Sequence, residues 1–261
     1  MNPKNTREEI IVVSELCLSY GTSLILGNAT FSVEQGQCLA VMGGSGCGKS
    51  TLLRSMVGLL RPKSGRITVN RTSLWGGSHE PDWEILRNFG VLFQSGALWS
   101  SMNLLENVSL PLETFSGLSA REIKELAMYK IGLVGLKGAE FLYPSQLSGG
   151  MKKRAGIARA LALDPKVLFF DEPSAGLDPI NCRKLDELIL DLKQNLGLTF
   201  VVVSHEIESI LAIADDGIFL DANSKSILAR GHPQTLRDSC AVPEVKNFFA
   251  RSLPSSVQNQ N

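Results

Sequence analysis

Hydrophobic and polar residues follow different repeats in successive parts of the chain. Residues 167–170 and 198–203 are runs rich in β-branched and aromatic side chains, apolar throughout except for Thr199, and residues 38–42 form another apolar run. Such runs are typical of strands buried on both faces of a sheet. Helical patterns separate them, and Pro179 introduces one helix, because proline fits the first helical turn. The alternation predicts an α/β fold with a largely parallel sheet.

The first part of the chain has a different pattern. Residues 10–20 and 29–34 alternate between apolar and polar positions around the turn-like Gly21 and Gly27. This period of two predicts antiparallel strands ahead of the parallel core, with the two glycines in the turns. We therefore expect an antiparallel β-subdomain.

Helical patterns dominate between residues 94 and 163. Ser119 and Glu122 have the spacing of a capping box, in which each side chain accepts a hydrogen bond from the other residue's backbone N–H. They predict a helix that runs to about residue 131. The segment therefore predicts a helical subdomain inserted into the parallel core.

Together these patterns predict a single domain over residues 8–251. Its parts are a core from 8–94 and 165–235, a helical subdomain from 95–164 and a C-terminal helical extension from 236–251. Residues 252–261 are rich in serine, asparagine and glutamine, which predicts a disordered tail.

Composition disfavours several classes of function. The 26 lysines and arginines balance 26 aspartates and glutamates and are scattered, so no nucleic-acid partner is expected. The five cysteines include no C-x-x-C pair, which argues against a disulfide framework or a zinc site and favours a cytosolic protein. The sequence contains no run of 18 apolar residues and no signal-peptide pattern near its first residue. We therefore expect neither a membrane span nor export.

A glycine-rich stretch follows the predicted strand 38–42 and precedes a helix. It matches the phosphate-loop pattern GxxxxGK[ST] and consists of Gly43, Gly44, Ser45, Gly46, Cys47, Gly48, Lys49, Ser50 and Thr51. Glycines let backbone N–H groups curl around phosphates. Lys49 is expected to reach the β- and γ-phosphates, and Ser50 to offer its hydroxyl to Mg²⁺. The alternative, an ordinary glycine-rich turn, is disfavoured by the flanking strand and helix.

Polar side chains follow the two apolar runs farther along the chain. Asp171 and Glu172 come directly after 167–170, and His205 follows 198–203. Carboxyl ends of parallel strands meet at one edge of a sheet, so these groups are expected near the phosphate loop. Asp171 suits Mg²⁺, Glu172 suits activation of water and His205 suits a γ-phosphate contact. The alternatives are a solvated strand end and a core or helix-capping histidine.

One further motif resembles the LSGGQ signature of ABC ATPases. It is Leu147-Ser148-Gly149-Gly150-Met151, followed by a helix with a basic start at residues 152–154. Other motifs of that family match in the same order: Tyr20 as the adenine-stacking aromatic, 43–51 as Walker A, Gln94 as the Q-loop, Asp171 and Glu172 as Walker B, 174–178 as the D-loop and His205 as the switch histidine.

The resemblance implies a RecA-like P-loop core with an antiparallel β-subdomain and an inserted α-helical subdomain. It also implies ATP and Mg²⁺ as cofactors, with catalysis by Glu172, His205, Gln94 and Lys49. The Mg²⁺ ligands would be Ser50, Gln94 and Asp171. Nucleotide binding would involve Tyr20, the phosphate loop, Ser148, Gly149, Gly150 and Asp178. Because each motif occurs once, two copies of the chain are expected to enclose ATP, with Ser148 and Gly150 of one copy facing the γ-phosphate held by the other.

Methionine at 151 departs from the family's usual glutamine. Together with residues 94–98 and 103–108 it resembles the Mla/Mce branch, whose members energise lipid transport. That resemblance implies an integral membrane permease, an MCE-domain lipid-binding subunit and a small accessory subunit as partners, at the cytoplasmic face of the plasma membrane. Alternatives are the ATPase of another ABC transporter and a soluble single-cassette protein such as an iron–sulfur assembly ATPase.

The segment after Gln94 is unusually apolar for a loop. Its large apolar residues are Leu98, Trp99, Met102, Leu104 and Leu105. Trp99 and Met102 favour contact with a permease. Leu104 and Leu105 suit either that contact or packing inside the helical subdomain.

Overall fold

The computed structural model describes residues 8–77, 79–94 and 96–250. Residue 251, which was predicted to end the domain, and the predicted tail 252–261 lie outside the described residues.

Ten strands and nine α-helices make up the described part of the chain. The strands are β1 (Glu9–Tyr20), β2 (Ser23–Glu34), β3 (Cys38–Gly43), β4 (Ser64–Val69), β5 (Thr72–Ser73), β6 (Phe89–Leu92), β7 (Val167–Asp171), β8 (Thr199–Val203), β9 (Asp216–Asp221) and β10 (Ser226–Gly231). The helices are α1 (Lys49–Met56), α2 (Trp83–Leu86), α3 (Leu104–Phe115), α4 (Ala120–Leu133), α5 (Gly149–Ala160), α6 (Pro179–Leu196), α7 (Ile207–Ile213), α8 (Pro233–Ser239) and α9 (Pro243–Ala250). A short 3₁₀ helix covers Pro144–Gln146.

The central sheet has six strands in the order β10-β9-β3-β8-β7-β6. Five of them, from β9 to β6, run parallel, and β10 pairs antiparallel with β9 at one edge. The predicted α/β fold with a largely parallel sheet is therefore confirmed. The parallel order brings the ends of β3, β7 and β8 to one edge, where the polar motifs follow them.

Alternate side chains of the central sheet pack into two hydrophobic clusters. Phe170 and Phe200 join a cluster with the helical side of the molecule, where their rings meet edge to face 5.5 Å apart. Phe169 and Val201 point the other way, into a cluster with α1 and the first strands. Burial on both faces explains why these strands are continuous apolar runs in the sequence.

The antiparallel subdomain is a four-stranded sheet in the order β2-β1-β4-β5. The turn between β1 and β2 lies at Gly21 and Thr22, as the first glycine predicted. The prediction of a turn at Gly27 was wrong, because β2 starts at Ser23 and passes through it. The N–H of Gly27 donates to the carbonyl of Lys225 at 2.7 Å, so this residue lies where the subdomain meets the β9–β10 hairpin.

The helical segment follows its capping signals. Ser119 and Glu122 form the predicted capping box, and α4 ends at Leu133, two residues beyond the expected end. At the other end of the chain, the predicted start of the extension at 236 falls inside α8 and is corrected, because Pro233 opens that helix at its first position. The division into core, helical and C-terminal parts otherwise stays a prediction.

Within 8–77, 79–94 and 96–250, no helix combines the length and the apolar character needed to cross a membrane.

Candidate nucleotide-binding site

The phosphate loop connects the end of β3 to the start of α1. Its turn depends on glycines with positive φ, which is +140° at Gly43 and +103° at Gly48. A Cβ at Gly43 would lie 2.3 Å from the carbonyl oxygen of Leu220, so no larger residue fits there. The chain therefore folds back tightly at this point and leads directly into the N-terminus of α1.

The outer side of this loop is free to receive an anion. Gly44, Ser45 and Gly46 are exposed, and a Cβ at Gly44 or Gly46 would meet no atom within 4 Å. The helix cap at Gly48 supplies no side-chain hydrogen bond. The first N–H groups of a helix lack partners within the helix, and its dipole favours negative charge. These features fit a bound phosphate.

Lys49 places its charge across the mouth of the loop. Its ammonium donates to the carbonyl oxygens of Gly43 and Gly44, both at 2.9 Å. Ser50, the next residue, donates from its hydroxyl to Oδ1 of Asp171 at 3.2 Å. This bond joins the phosphate loop to the end of β7, which lies 121 residues away in the sequence.

The Ser50 and Asp171 oxygens form a pair of hard donors. Mg²⁺ prefers such oxygen ligands and is commonly held by one or two protein groups together with phosphate oxygens and water. In the part of the chain that the structure describes, no three histidine, cysteine, aspartate or glutamate side chains form a metal-binding group. The donor set thus fits Mg²⁺ bound together with a nucleotide and does not resemble a complete protein-only metal site.

Glu172 and His205 lie in contact, as their positions after neighbouring strands predict. His205 Nδ1 is 2.8 Å from Glu172 Oε2, and the backbone N–H of His205 donates to the same oxygen at 3.4 Å. Glu172 itself has φ of +50°, a left-handed conformation that is uncommon for a residue with a side chain. Its N–H donates to the carbonyl of Val203 at 2.9 Å, which holds it beside β8. The carboxylate is therefore oriented by its backbone and by the histidine.

The signature motif lies at the start of α5. Ser148 caps this helix, and its Oγ accepts from the N–H of Met151 at 3.3 Å. Met151 also packs against the hydrophobic cluster on the helical side. Among the described hydrogen bonds, those of Ser148 stay within the first turn of α5, and none of them joins this serine to the phosphate loop.

Gly149 and Gly150 start α5 beside the N-terminus of α6. A Cβ at Gly150 would lie 3.1 Å from Oδ1 of Asn181. Asp178 caps α6 and accepts from the N–H groups of Ile180 and Asn181, both at 3.1 Å. Hydrogen bonds from the Asn181 side chain and backbone lower the pKa of Asp178. Its partners in this chain are thus those of a helix cap, and its role at the nucleotide stays a prediction.

Tyr20 is the last residue of β1 and is 47% exposed. It pairs with Ser23, at the tip of the β1–β2 hairpin. Two residues farther along β2, Ile25 lies so close to Gly48 that a Cβ there would be 3.0 Å from Ile25 Cγ2. The open tyrosine ring therefore belongs to the end of the hairpin that approaches the phosphate loop.

Comparison with known proteins decides the family. The model of the family described as ABC transporter matches residues 26–175. The chain belongs to the ABC transporter family. Membership implies nucleotide binding, in agreement with the loop geometry.

Two relatives align with most of this ABC transporter protein. The probable ribonucleotide transport ATP-binding protein mkl of Mycobacterium tuberculosis is 42% identical over 206 residues, which are 79% of this chain and 57% of mkl. The intermembrane phospholipid transport system ATP-binding protein MlaF of Escherichia coli is 39% identical over 240 residues, which are 92% of this chain and 88% of MlaF. The chain thus spans little more than half of mkl but most of MlaF.

Solved structures confirm the ABC fold. The structure of cbiO1 from Clostridium perfringens, part of the ABC transporter complex cbiONQ, has a TM-score of 0.81 at 27% identity and covers 94% of this chain and 97% of its own. The ATP-binding cassette MJ0796 was solved as a dimer in a post-hydrolysis state with ADP and Pi. It has a TM-score of 0.74 at 27% identity, and the match covers 85% of this chain and 98% of the MJ0796 chain.

Lys153 is a residue of this ABC transporter protein whose position the sequence analysis missed. Its ammonium donates to the carbonyl oxygens of Gln94 at 2.5 Å and of Glu172 at 3.1 Å. The Gln94 side chain itself is exposed. The sequence did contain a signal that Lys153 is buried. Gly156 and Ile157, which face the core, follow it by three and four residues, and residues with that spacing lie on the same face of a helix. In the sequence, Lys153 stands out only as part of the basic start of a helix.

The apolar segment after Gln94 divides into packed and exposed residues. Leu104 is buried, and Leu98 and Leu105 pack against the helical-side cluster, so packing accounts for all three. Trp99 is 58% exposed, and neither Trp99 nor Met102 belongs to the two clusters formed by the described residues.

The buried Asn107 fixes the turn that carries these two residues. Its Oδ1 accepts from the N–H of Trp99 at 2.8 Å. Its Nδ2 donates to the carbonyls of Trp99, Met102 and Asn103 at 2.9 to 3.1 Å. A turn held this firmly presents an exposed tryptophan at low conformational cost.

Proposed function

We propose that this chain is the ATP-hydrolysing subunit of a membrane ABC transporter. The observation that carries the proposal is the meeting of three groups at one sheet edge: the phosphate loop, the Ser50–Asp171 pair and the Glu172–His205 pair. A nucleotide loop alone would suit a binding protein. The carboxylate held beside the loop adds a group that can accept a proton from water.

Binding of ATP is assigned to the loop and its neighbours. The N–H groups of residues 43–51 and the Lys49 ammonium hold the phosphates, because both present positive charge at the mouth of the loop. Tyr20 stacks on the adenine, since its ring is open and lies at the hairpin tip near Gly48. These contacts bind and orient the substrate before any chemistry.

The residues that would hold Mg²⁺ are Ser50 and Asp171, with Gln94 as a further oxygen donor. When bound, the ion would neutralise charge on the phosphate oxygens. The Ser50–Asp171 hydrogen bond keeps both protein oxygens on the same side of the loop.

Hydrolysis depends on Glu172 as the group that positions a water molecule and accepts its proton. Its neighbour His205 keeps the carboxylate in place and contacts the γ-phosphate. Gln94 follows β6, the strand next to β7, and extends into the same region. Most of the catalytic effect in such phosphoryl transfer comes from positioning and electrostatics.

The working unit contains two copies of the chain. Ser148, Gly149 and Gly150 lie at a helix N-terminus, a favourable place for an anion, yet the hydrogen bonds of the described residues do not link them to the loop of the same chain. A second copy supplies the phosphate, with Asp178 near the shared site. The dimeric MJ0796 structure with ADP and Pi supports this arrangement.

The partner in the membrane is an integral permease that contacts Trp99 and Met102. We assign the cargo to phospholipid or a related lipid, because MlaF, whose name describes phospholipid transport, aligns over 92% of this chain and 88% of its own length. The name of mkl describes ribonucleotide transport, but that alignment covers only 57% of mkl. An MCE-domain lipid-binding subunit and a small accessory subunit complete the proposal, at the cytoplasmic face of the plasma membrane. Neither relative's name favours the soluble iron–sulfur alternative.

Two variants test the ATPase assignment. Glu172→Gln should keep ATP binding and slow turnover by about 10²-fold or more, because an amide keeps the shape but not the base. Lys49→Ala should instead weaken ATP binding, because it removes the charge aimed at the phosphates. Nucleotide affinity and turnover are measured on the chain purified with its membrane partners, and lipid that copurifies is identified by mass spectrometry. Near-parental turnover of Glu172→Gln would reject the proposed mechanism.

A further inference from the structure

Lys153 carries a buried positive charge at the centre of the site. The residue is 6% exposed, and lysine is rarely buried unless its ammonium has partners. Its partners are the carbonyl oxygens of Gln94 and Glu172. Burial lowers the pKa of the ammonium, whereas the carboxylates of Glu172 and Asp171 oppose that shift. Keeping a lysine here is costly unless its hydrogen bonds are made.

The two carbonyls belong to loops that the sheet no longer holds together. Gln94 follows β6 and Glu172 follows β7, and Leu92 and Phe170 are the last residues that these two strands pair with each other. Beyond that pair, Lys153 is the side chain that bridges the two loops among the described hydrogen bonds. Its flexible stem and three donors suit such a bridge.

The same helix holds the Gln94 loop at further points. Arg159 donates to the carbonyl oxygens of Ala97 at 2.6 Å and of Gly96 at 3.2 Å. At Gly156 the backbones approach so closely that a Cβ would lie 3.3 Å from the Gly96 oxygen. The loop is therefore attached at several points to α5, the helix that Ser148 caps.

We propose that Lys153 is a positioning residue that fixes the loops carrying Gln94 and Glu172 to each other and to α5, the helix that Ser148 caps. The inference rests on the proposed function. The Lys153 bridge links the catalytic loops of one chain to the signature motif that the same chain contributes to the second copy's nucleotide site. Ser148 lies five residues before Lys153, about 7.5 Å along the helix axis, so a displacement of either loop is passed to the signature over one rigid segment.

The test compares two substitutions of a buried lysine by methionine, which keeps an unbranched apolar stem of four atoms and removes the ammonium. Lys153→Met removes the bridge. Lys130→Met is the matched control, because Lys130 is also buried in the helical part but pairs with the exposed Asp164. Both are made in the full chain and purified with its membrane partners. Thermal unfolding is measured alongside ATP affinity, kcat and KM.

Lys153→Met should keep ATP affinity within about threefold and lower kcat by about 30- to 100-fold, since small misplacements of catalytic groups have effects of that size. Lys130→Met should keep kcat within about twofold even where it lowers the unfolding temperature, because it displaces no catalytic group. Parental kcat in Lys153→Met would overturn the inference, and so would an equal loss of kcat in both variants.

A double-mutant cycle separates positioning from general loss of stability. If Lys153 acts through Glu172, then Lys153→Met should reduce the residual single-turnover rate of Glu172→Gln far less than it reduces the parental rate. The same fold reduction in both backgrounds would overturn the inference. If the parental chain itself hydrolyses no ATP, that result rejects both the proposed function and this inference. Parental hydrolysis with an unaffected Lys153→Met overturns the inference alone.

Discussion

His205 Nδ1 lies 2.8 Å from Oε2 of Glu172, although 33 residues separate them in the sequence. The contact forms because β7 and β8 are neighbours in the parallel sheet and each residue follows the end of its strand. The two side chains therefore orient each other before nucleotide arrives. Among the described hydrogen bonds, loss of the ring would leave the Glu172 carboxylate with the longer bond from the His205 backbone N–H.

His205→Ala should lower kcat by about 10²-fold while ATP affinity stays close to parental, because the loss falls on orientation of Glu172. The measurement is steady-state hydrolysis with nucleotide binding on the same sample. His232→Ala is the control: His232 caps α8 through Nδ1, so its loss should reduce stability and leave kcat unchanged. Equal turnover of His205→Ala and the parent would contradict the assigned role.

Mixing two inactive variants tests the shared site. Ser148→Arg puts bulk and charge at the partner's phosphate and should abolish hydrolysis while its own loop still binds ATP. Lys49→Ala instead damages the phosphate loop, which is the other half of the shared site. In a mixed dimer both lesions fall on one site and the other site is whole. We expect mixed samples to regain hydrolysis, provided one site can act alone, whereas each variant alone stays inactive.

A structure offers the stricter outcome for the same prediction. In the ATP-bound Glu172→Gln chain assembled with its partners, Ser148 should lie beside a γ-phosphate held by the second copy. Ser148 remote from every γ-phosphate would refute the shared site.

Trp99→Ala combined with Met102→Ala should reduce copurification of the membrane partner by about tenfold or more, as loss of an exposed aromatic anchor does at interfaces. ATP binding should stay parental, because neither side chain contacts the phosphate loop in the described hydrogen bonds. Trp83→Ala is the matched control, since this tryptophan is 60% exposed in α2. Full association and normal transport by the double variant would assign Trp99 and Met102 to ordinary surface.

Asp186→Asn should change stability in a pH-dependent way. Burial raises the pKa of Asp186 from 3.8 to about 6, although the Ser209 hydroxyl, 2.9 Å away, opposes the shift. A raised carboxyl pKa means that its contribution to stability is complete below pH 4 and is lost as pH rises through 6.

The neutral asparagine avoids that loss. The variant should therefore raise the free energy of unfolding by about 1 to 2 kcal/mol at pH 7.5 and bring no gain at pH 4. Urea unfolding at both values measures this, with Asp191→Asn as the control because Asp191 is exposed on the same helix. A gain of equal size at both pH values would contradict the explanation.

The order of the motifs and the type of sheet can be predicted from the sequence alone. Continuous apolar runs specify strands buried on two faces, and glycines followed by Lys49 and Ser50 specify a phosphate loop, because these signals are local. Ser119 with Glu122 likewise predicted a helix start that the structure has. Gly27 misled the prediction, because a glycine within a strand and a glycine in a turn look alike until the pairing partner is known.

Contacts between groups that are distant in the sequence depend on the tertiary structure. The Ser50–Asp171 and Glu172–His205 contacts could be anticipated as neighbours at one sheet edge, but their distances follow from strand register. The Lys153 bridge could not be anticipated in this way. Its partners are main-chain carbonyls, which every residue possesses, so no residue type in the sequence marks them. The partners of a buried charge are set by how a helix lies on the sheet, and that information is absent from local patterns.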